Sequence, residues 1–337
     1  MSIKKIFLLG ATGQVGKELA YELKEIENID VTCHSRAKVK SSFFNFHNIK
    51  NIIGNLDDRD IIKQINAADL IFDLAAPNNG TLKEIKKFYK NRADVVISNM
   101  KKNSKIVFAS TMNAYGIDKK RKKLKNYFIS SSIYSSNKRF AENYYKKLGK
   151  KNNINVYSLR LGEVHGKFQR ASRDIIKLIE DKRIFEIPKT PAWVTFISLI
   201  KQAIINILFE KEKPGLYTVV CDDVMWFDLL NSFGRKINIK PKYIIKDMNE
   251  NSNKLINLLF NILSSYKDIF RGNFEISKDY ENLLKLNYRI NKVKNSFKET
   301  DKLKIYKDYN RYVGILPGKR LNSLKYNKDQ VLENLII

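Results

Sequence analysis

The sequence is poor in cysteine, histidine and long apolar runs. Its two cysteines, Cys33 and Cys221, are far apart and do not suggest a disulfide framework, so we expect a reducing compartment, the cytoplasm. The three histidines are scattered and lack metal-site spacing, so we predict no metal ion. No apolar run approaches the roughly 18 residues that span a bilayer, and the first apolar run is too short for a signal peptide. We therefore expect no transmembrane segment.

Positive charge is abundant. The formal net charge is +28, and the densest basic run extends from Asp118 to Lys125. Such charge is typical of partners such as nucleic acids, anionic membranes or phosphorylated ligands, but a lysine-rich composition gives the same value with no partner. We find no aromatic-interleaved nucleic-acid motif, so specific nucleic-acid binding is not expected, and peripheral membrane contact is not favoured.

The first half of the chain alternates short apolar strands with amphipathic helices. This pattern predicts an α/β fold with a doubly wound parallel sheet over residues 1–166, a Rossmann domain. Beyond this point helical segments dominate, so we predict a smaller, mainly helical lobe over 167–337, interleaved with the end of the sheet. An apolar helix is expected from Lys254 to Tyr266.

The segment "GATGQVG" places Gly10, Gly13 and Gly16 between a predicted strand and a predicted helix. Glycines permit a tight turn and a close backbone approach, and the helix N-terminus offers free N–H groups to a pyrophosphate. We therefore predict a dinucleotide-binding loop.

The second strand ends in Ser35 and Arg36. An acidic residue at this place would repel a ribose 2′-phosphate, whereas a hydroxyl and a guanidinium can hold one. This favours NADP(H), with NAD(H) as the alternative. The other interpretation of Arg36 is that it covers the adenine ring.

Tyr134 and Lys138 are four residues apart on a predicted helix and so share one face. A tyrosine has a pKa near 10, which is too high for a base at neutral pH. A nearby ammonium stabilises the phenolate and lowers that value, so the pair is suited to proton transfer.

Several segments together resemble the extended short-chain dehydrogenase/reductase family of nucleotide-sugar epimerases, dehydratases and ketoreductases. "DLIFDLAA" is similar to its fourth-strand motif, "STMNAYG" to its Ser/Thr motif, and "RLGEVHG" to its R-x-x-N-V-Y-G. "FEISKDYENLLKLNYRI" resembles its C-terminal stretch. The resemblance covers about residues 3–300, and the motifs follow in the family's order.

The resemblance implies a set of site residues. Thr111, Tyr134 and Lys138 would be catalytic, with Lys138 also holding the nicotinamide ribose and Thr111 donating a hydrogen bond to the substrate oxygen. The implied cofactor contacts are Gly10, Thr12, Gly13, Gln14, Val15, Gly16, Ser35, Arg36, Asn55, Leu56, Leu74, Ala75, Ala76, Tyr134, Lys138 and Leu161. The implied substrate contacts are Met112, Asn113, Glu163, His165 and Arg271.

Four residues depart from the family pattern. Asp73 replaces a histidine, Glu163 an asparagine, His165 a tyrosine, and Asn55 an acidic residue near the adenine. Those at 163 and 165 bear on the identity of the substrate rather than on the fold.

The resemblance leaves more than one reaction open. Dehydratases of the family follow the catalytic Thr with acidic residues, whereas Met112 and Asn113 follow it here, so a dehydratase is not expected. We favour a keto-sugar reductase that acts on a nucleotide-diphosphate sugar in surface-polysaccharide precursor synthesis, because Ser35 and Arg36 favour NADP and the reductases of the family usually use NADPH. The alternatives are an epimerase of a nucleotide or lipid-linked sugar with tightly bound NAD, and a non-catalytic dinucleotide-sensing or nucleic-acid-binding protein. A homodimer is expected.

Overall fold

The computed structural model describes residues 2–77, 80–115, 133–246, 302–304 and 319–333. Its large sheet contains seven strands: β1 (Lys4–Leu9), β2 (Ile29–Ser35), β3 (Asn51–Ile53), β4 (Leu70–Asp73), β5 (Lys105–Thr111), β6 (Asn155–Leu161) and β10 (Gly215–Val219). The strands are all parallel, in the order β10-β6-β5-β4-β1-β2-β3. This arrangement confirms the predicted doubly wound sheet.

Helices cover both faces of this sheet. The first face packs against α1 (Gln14–Leu23), α2 (Lys38–Phe46) and α7 (Ile197–Leu208), and the second against α3 (Arg59–Ala67), α4 (Leu82–Asn99) and α5 (Ile133–Asn152). Alternate residues of β1 show why: Ile6 and Leu8 join the first core, whereas Phe7 and Leu9 join the second. Because a strand buried on both faces needs apolar residues at every position, its sequence is a continuous apolar run.

A second group of elements follows the sixth strand of the large sheet. It comprises β7 (Glu163–His165), α6 (Arg170–Glu180), β8 (Ile184–Pro188), β9 (Val194–Phe196), α8 (Trp226–Lys236), β11 (Lys242–Lys246), β12 (Lys302–Lys304) and α9 (Lys328–Glu333). Strands β11, β8 and β12 form a small parallel sheet, and β7 pairs with β9. In the described part of this lobe, short strands accompany the longer helices.

The two parts of the chain are interleaved. Helix α7 and strand β10 come from beyond residue 166, yet they complete the large sheet and its first core. The segment 319–333 then returns to β10, where the Lys319 carbonyl accepts a hydrogen bond from the Thr218 N–H at 2.9 Å. The expected helix from Lys254 to Tyr266 and the C-terminal motif lie outside the described residues.

Candidate active site

The loop after β1 lies against the end of β4. Gly10 has φ +74°, and a Cβ at this position would lie 2.6 Å from the Ala75 nitrogen, so a side chain would separate the two strand ends. At Gly16 a Cβ would lie 2.6 Å from the Cα of Ala11, which is why α1 can begin directly beneath the loop. The glycines at 10 and 16 are thus required by close packing.

The same loop leaves the start of α1 open to a ligand. Gly13 is the N-cap and supplies no side-chain hydrogen bond to the first N–H groups of the helix. A Cβ at Gly13 would meet only the Gly10 carbonyl oxygen, at 3.5 Å. Uncapped N–H groups together with open space fit the pyrophosphate of a dinucleotide. Thr12 is partly exposed beside this opening, and Val15 packs partly against the core.

The end of β2 presents Arg36 rather than Ser35. The Ser35 side chain is buried, and its hydroxyl donates to the Ala37 carbonyl at 2.9 Å. Arg36 is exposed and has no hydrogen bond or ion pair among the described residues. Of the two residues that the sequence suggests for a 2′-phosphate, only the guanidinium is therefore available. Nearby, Asn55 is exposed, and Leu56 packs partly against the second core.

Tyr134 and Lys138 share one face at the start of α5. The Lys138 side chain is buried, and its Nζ lies 5.9 Å from the centre of the Tyr134 ring. This Nζ donates to the Ala109 carbonyl at 2.7 Å and lies 4.7 Å from the centre of the Phe108 ring. Burial lowers the pKa of Lys138 to about 8, with Asp73 and Glu142 acting in the opposite direction.

The Tyr134 ring remains 47% exposed, and partial burial raises its pKa. Thr111 ends β5 and is close to nine-tenths buried, and its Oγ1 accepts the Asn113 N–H at 3.3 Å. Because β4 and β5 are parallel neighbours, Thr111 and the segment Leu74–Ala76 lie at the same carboxyl edge of the sheet. The predicted catalytic residues and the glycine loop therefore share one edge.

Two buried ion pairs, which sequence analysis does not assign, border Lys138. Asp73 accepts the Arg92 Nε–H at 2.7 and 2.9 Å, and Glu142 accepts Arg160 Nε–H at 2.8 Å and Nη2–H at 2.7 Å. Glu142 also accepts the Ser110 hydroxyl at 2.5 Å. The second pair therefore fastens α5 to β5 and β6. The one available signal is that Glu142 lies four residues after Lys138, on the same helix face.

Glu18 of α1 is a further residue that sequence analysis does not assign. Its buried carboxylate accepts the N–H groups of Lys167 at 2.6 Å and Phe168 at 2.8 Å, and the Gln169 amide at 2.7 Å. The Gln14 side chain accepts the Arg170 N–H at 3.1 Å. These bonds join the helix that follows the glycine loop to the segment 167–170.

The residues suggested for substrate contact differ in accessibility. Glu163 and Asn113 are partly exposed, whereas Met112 is buried, as is Leu161, which the sequence suggests for cofactor contact. His165 is fully buried beside Phe196 and Phe233, with Nδ1 3.2 Å from the Ser172 hydroxyl and Nε2 3.6 Å from the Glu163 carboxylate. The ring of His165 thus supports Glu163 and presents no surface of its own to a substrate. Arg271 lies outside the described residues.

Within the described ranges, no helix is long and apolar enough to cross a membrane. Over the same ranges, no cluster of three His, Cys, Asp or Glu side chains has an arrangement that could hold a metal ion.

Residues 6–184 match the NAD dependent epimerase/dehydratase family. No curated protein matches the chain in sequence. Among solved structures, UDP-N-acetylglucosamine 4-epimerase from Methanobrevibacter ruminantium, in complex with UDP-N-acetylmuramic acid, has a TM-score of 0.58 at 20% identity, covering 83% of this chain and 94% of that one.

UDP-glucuronic acid 4-epimerase from Bacillus cereus, in complex with NAD, has a TM-score of 0.57 at 18% identity, with 72% and 87% covered. The Bordetella bronchiseptica enzyme WbmH, in complex with NAD+, has a TM-score of 0.56 at 17% identity, with 74% and 87% covered. At these identities the three likenesses show a shared fold.

Proposed function

Because the chain belongs to the NAD-dependent epimerase/dehydratase family, we propose that it is an epimerase of a nucleotide-diphosphate sugar with NAD as its bound cofactor. The observation that carries the proposal is the placement of Tyr134, Lys138 and Thr111 at the sheet edge that also holds the glycine loop. Met112 and Asn113 follow Thr111 and supply no acid, which argues against dehydration.

The residues fit a dinucleotide. The uncapped start of α1 would bind the pyrophosphate, and Leu74, Ala75 and Ala76 would border the nicotinamide. The Lys138 ammonium would donate hydrogen bonds to the nicotinamide ribose. When bound, NAD supplies reversible hydride exchange with a carbon of the substrate.

Tyr134 would move the proton that accompanies this exchange. In the phenolate form its oxygen would accept the proton of the substrate hydroxyl, and the resulting phenol would later return a proton to the carbonyl oxygen, while Thr111 donates a hydrogen bond to the same substrate oxygen. Partial burial alone raises the pKa of Tyr134. A nearby positive charge acts in the opposite direction, which gives the charge of Lys138 its role in proton transfer.

An epimerase explains the comparisons better than the keto-sugar reductase that the sequence favours. Two of the similar folds are named as 4-epimerases of UDP-sugars, and two are in complex with NAD. The NADP-linked reductase is the second candidate, because the exposed guanidinium of Arg36 could pair with a 2′-phosphate. A homodimer, a cytoplasmic location and a role in polysaccharide precursor synthesis belong to the same proposal, as do a cofactor domain over 1–166 and a substrate lobe over 167–337.

The purified protein should interconvert a UDP-sugar and its epimer with no added nicotinamide cofactor. Hydride that returns to the same substrate leaves NAD unchanged, so we expect NAD to co-purify and NMR of the sugar protons to reveal both epimers. UDP-glucose, UDP-glucuronic acid and UDP-N-acetylglucosamine form the first panel. A requirement for stoichiometric NADPH would contradict the epimerase and favour the reductase.

The cofactor itself is tested at Arg36. If its guanidinium binds a 2′-phosphate, Arg36→Ala should weaken NADP binding by about 1–3 kcal/mol, the contribution of a charge-assisted hydrogen bond, and change NAD binding little. Isothermal titration of both cofactors measures the difference. Lys40→Ala, which removes an exposed cation from the following helix α2, is the matched control. Equal losses for NADP and NAD would contradict a role for Arg36 in reading the phosphate.

A further inference from the structure

Asp73 is a buried anion at the carboxyl end of β4, and the described residues surround it with donors. Besides the two contacts from Arg92, its carboxylate accepts the Tyr145 hydroxyl at 2.7 Å and the Ala75 N–H at 3.0 Å. Asp73 is fully buried, and Arg92 is nearly so. The cluster therefore ties α4, α5 and the end of β4 together through one carboxylate.

Lys138 and Asp73 border the same aromatic side chain. Asp73 is paired in register with Phe108 on the neighbouring strand, and the Lys138 Nζ lies 4.7 Å from the centre of the Phe108 ring. Tyr145, which donates to Asp73, has its ring centre 4.8 Å from that of Phe108. The ammonium and the carboxylate are thus close neighbours in a region that excludes water, where charges interact strongly.

The charges around Lys138 do not balance. The titratable groups that act on it or border it are Asp73 from β4, Tyr89 and Arg92 from α4, and Tyr134 and Glu142 from α5. Tyr145 of α5 and Arg160 of β6 bind the carboxylates of Asp73 and Glu142. Each carboxylate among them already pairs with one arginine. Lys138 is consequently a third buried cation, and a backbone carbonyl is its one hydrogen-bond acceptor among the described residues.

We propose that Asp73 is a positioning residue for Lys138: its buried negative charge sustains the ammonium form, while its bonds to Tyr145 and Arg92 hold the two helices around that ammonium. The proposal rests on the proposed function, in which the Lys138 ammonium binds the ribose of NAD. Arg92 has the opposite electrostatic effect on Lys138, because it places a like charge beside it. Asp73 and Arg92 therefore stabilise the same local structure, but their charges have opposite effects on the protonation of Lys138.

This opposition separates an electrostatic role from a purely structural one. Asp73→Asn and Arg92→Gln break the same ion pair, so any effect that arises from structural damage should be similar in the two variants. Loss of the aspartate charge should lower the pKa of Lys138, whereas loss of the arginine charge should raise it. Tyr145→Phe removes a hydrogen bond from Asp73 and leaves both charges, so it serves as the matched control.

The readout is the pH dependence of the NAD+ dissociation constant, measured by calorimetry between pH 6 and 10, with folding checked by circular dichroism. In the parent protein, affinity should weaken above pH about 8, where Lys138 loses its proton. We call the pH at which affinity begins to weaken the break. We expect it to fall by about one pH unit in Asp73→Asn, to rise in Arg92→Gln, and to change little in Tyr145→Phe. Lys138→Met should bind more weakly and show no break.

Breaks that move in the same direction in Asp73→Asn and Arg92→Gln, or that do not move, would overturn the role of Asp73. A parent protein that fails to bind NAD+, or a Lys138→Met variant that keeps the parental break, would overturn the proposed function instead. If Asp73→Asn does not fold, the double variant Asp73→Asn/Arg92→Gln removes both buried charges, a change that proteins often tolerate. Its break must then lie below that of Arg92→Gln alone for the proposal to stand.

Discussion

Tyr134→Phe should lower kcat by about 10²–10⁴-fold, the usual contribution of a general acid–base group. The substitution removes one oxygen, the atom that would exchange a proton with the substrate. Folding should be unchanged, because the ring is 47% exposed and its hydroxyl has no hydrogen bond to any other described residue. NAD affinity should also be retained, since Lys138 and the glycine loop are untouched. Steady-state kinetics, calorimetry and thermal unfolding measure the three properties.

Tyr144→Phe is the matched control for this result. Tyr144 lies on the same helix, and its hydroxyl donates to Asp94 at 2.6 Å, away from the sheet edge that holds Thr111. Loss of this surface hydrogen bond should leave kcat within a factor of two or so of the parent value. If Tyr134→Phe turns over as fast as Tyr144→Phe, Tyr134 does not transfer the proton.

Lys138→Met should make the protein more stable and less active. Burial lowers the pKa of Lys138 from 10.5 to about 8, so the folded protein holds this charge at an unfavourable place at neutral pH. A difference of this size corresponds to roughly 3 kcal/mol at 1.36 kcal/mol for each pH unit. The substitution removes this cost but also removes the hydrogen bond to the Ala109 carbonyl, which reduces the benefit. We therefore expect a gain of about 1–3 kcal/mol in the free energy of unfolding at pH 7.

The gain should depend on pH in a specific direction. Between pH 8 and 10.5 the unfolded chain still protonates this lysine while the folded protein does not, so the parent protein becomes more stable as the pH rises. The advantage of Lys138→Met should therefore be complete below pH 8 and disappear by about pH 10.5. Urea unfolding at pH 7, 9 and 10.5 measures it. A variant that is less stable than the parent at pH 7 would mean that the hydrogen bond outweighs the cost of burying the charge.

The sequence predicts those parts of the fold that local patterns determine. The buried parts of β1 (Ile6–Leu9), β4 (Leu70–Phe72) and β5 (Ile106–Ala109) are continuous apolar runs, and the glycine loop follows from residues that are neighbours in the chain. Helix α2 and strand β3 escape prediction for the opposite reason. Val39 and Phe46 of α2 are more than four-fifths exposed, so apolar residues do not mark the buried side, and β3 contains only three residues at the sheet edge.

The surroundings of the candidate site are less predictable, because they depend on contacts between distant residues. Arg92 and Tyr145 follow Asp73 by 19 and 72 residues, and no local pattern joins them. Likewise, nothing near His165 indicates that Phe196 and Phe233 will enclose its ring. The catalytic roles of Thr111, Tyr134 and Lys138 stay predictions that the kinetics above will test.

The bonds of Glu18 also bear on how this enzyme can move. A hinge must lie where few interactions cross it. Here three groups of residues 167–169 donate hydrogen bonds to the Glu18 carboxylate, on the helix that follows the glycine loop. That helix and the start of the next lobe consequently form one mechanical unit. Cutting the chain after Gly166 would also take away α7 and β10, leaving β6 at the edge of the sheet. Residues 167–170 therefore hold α1 to the start of the second group of elements, and a hinge between these elements has to lie elsewhere.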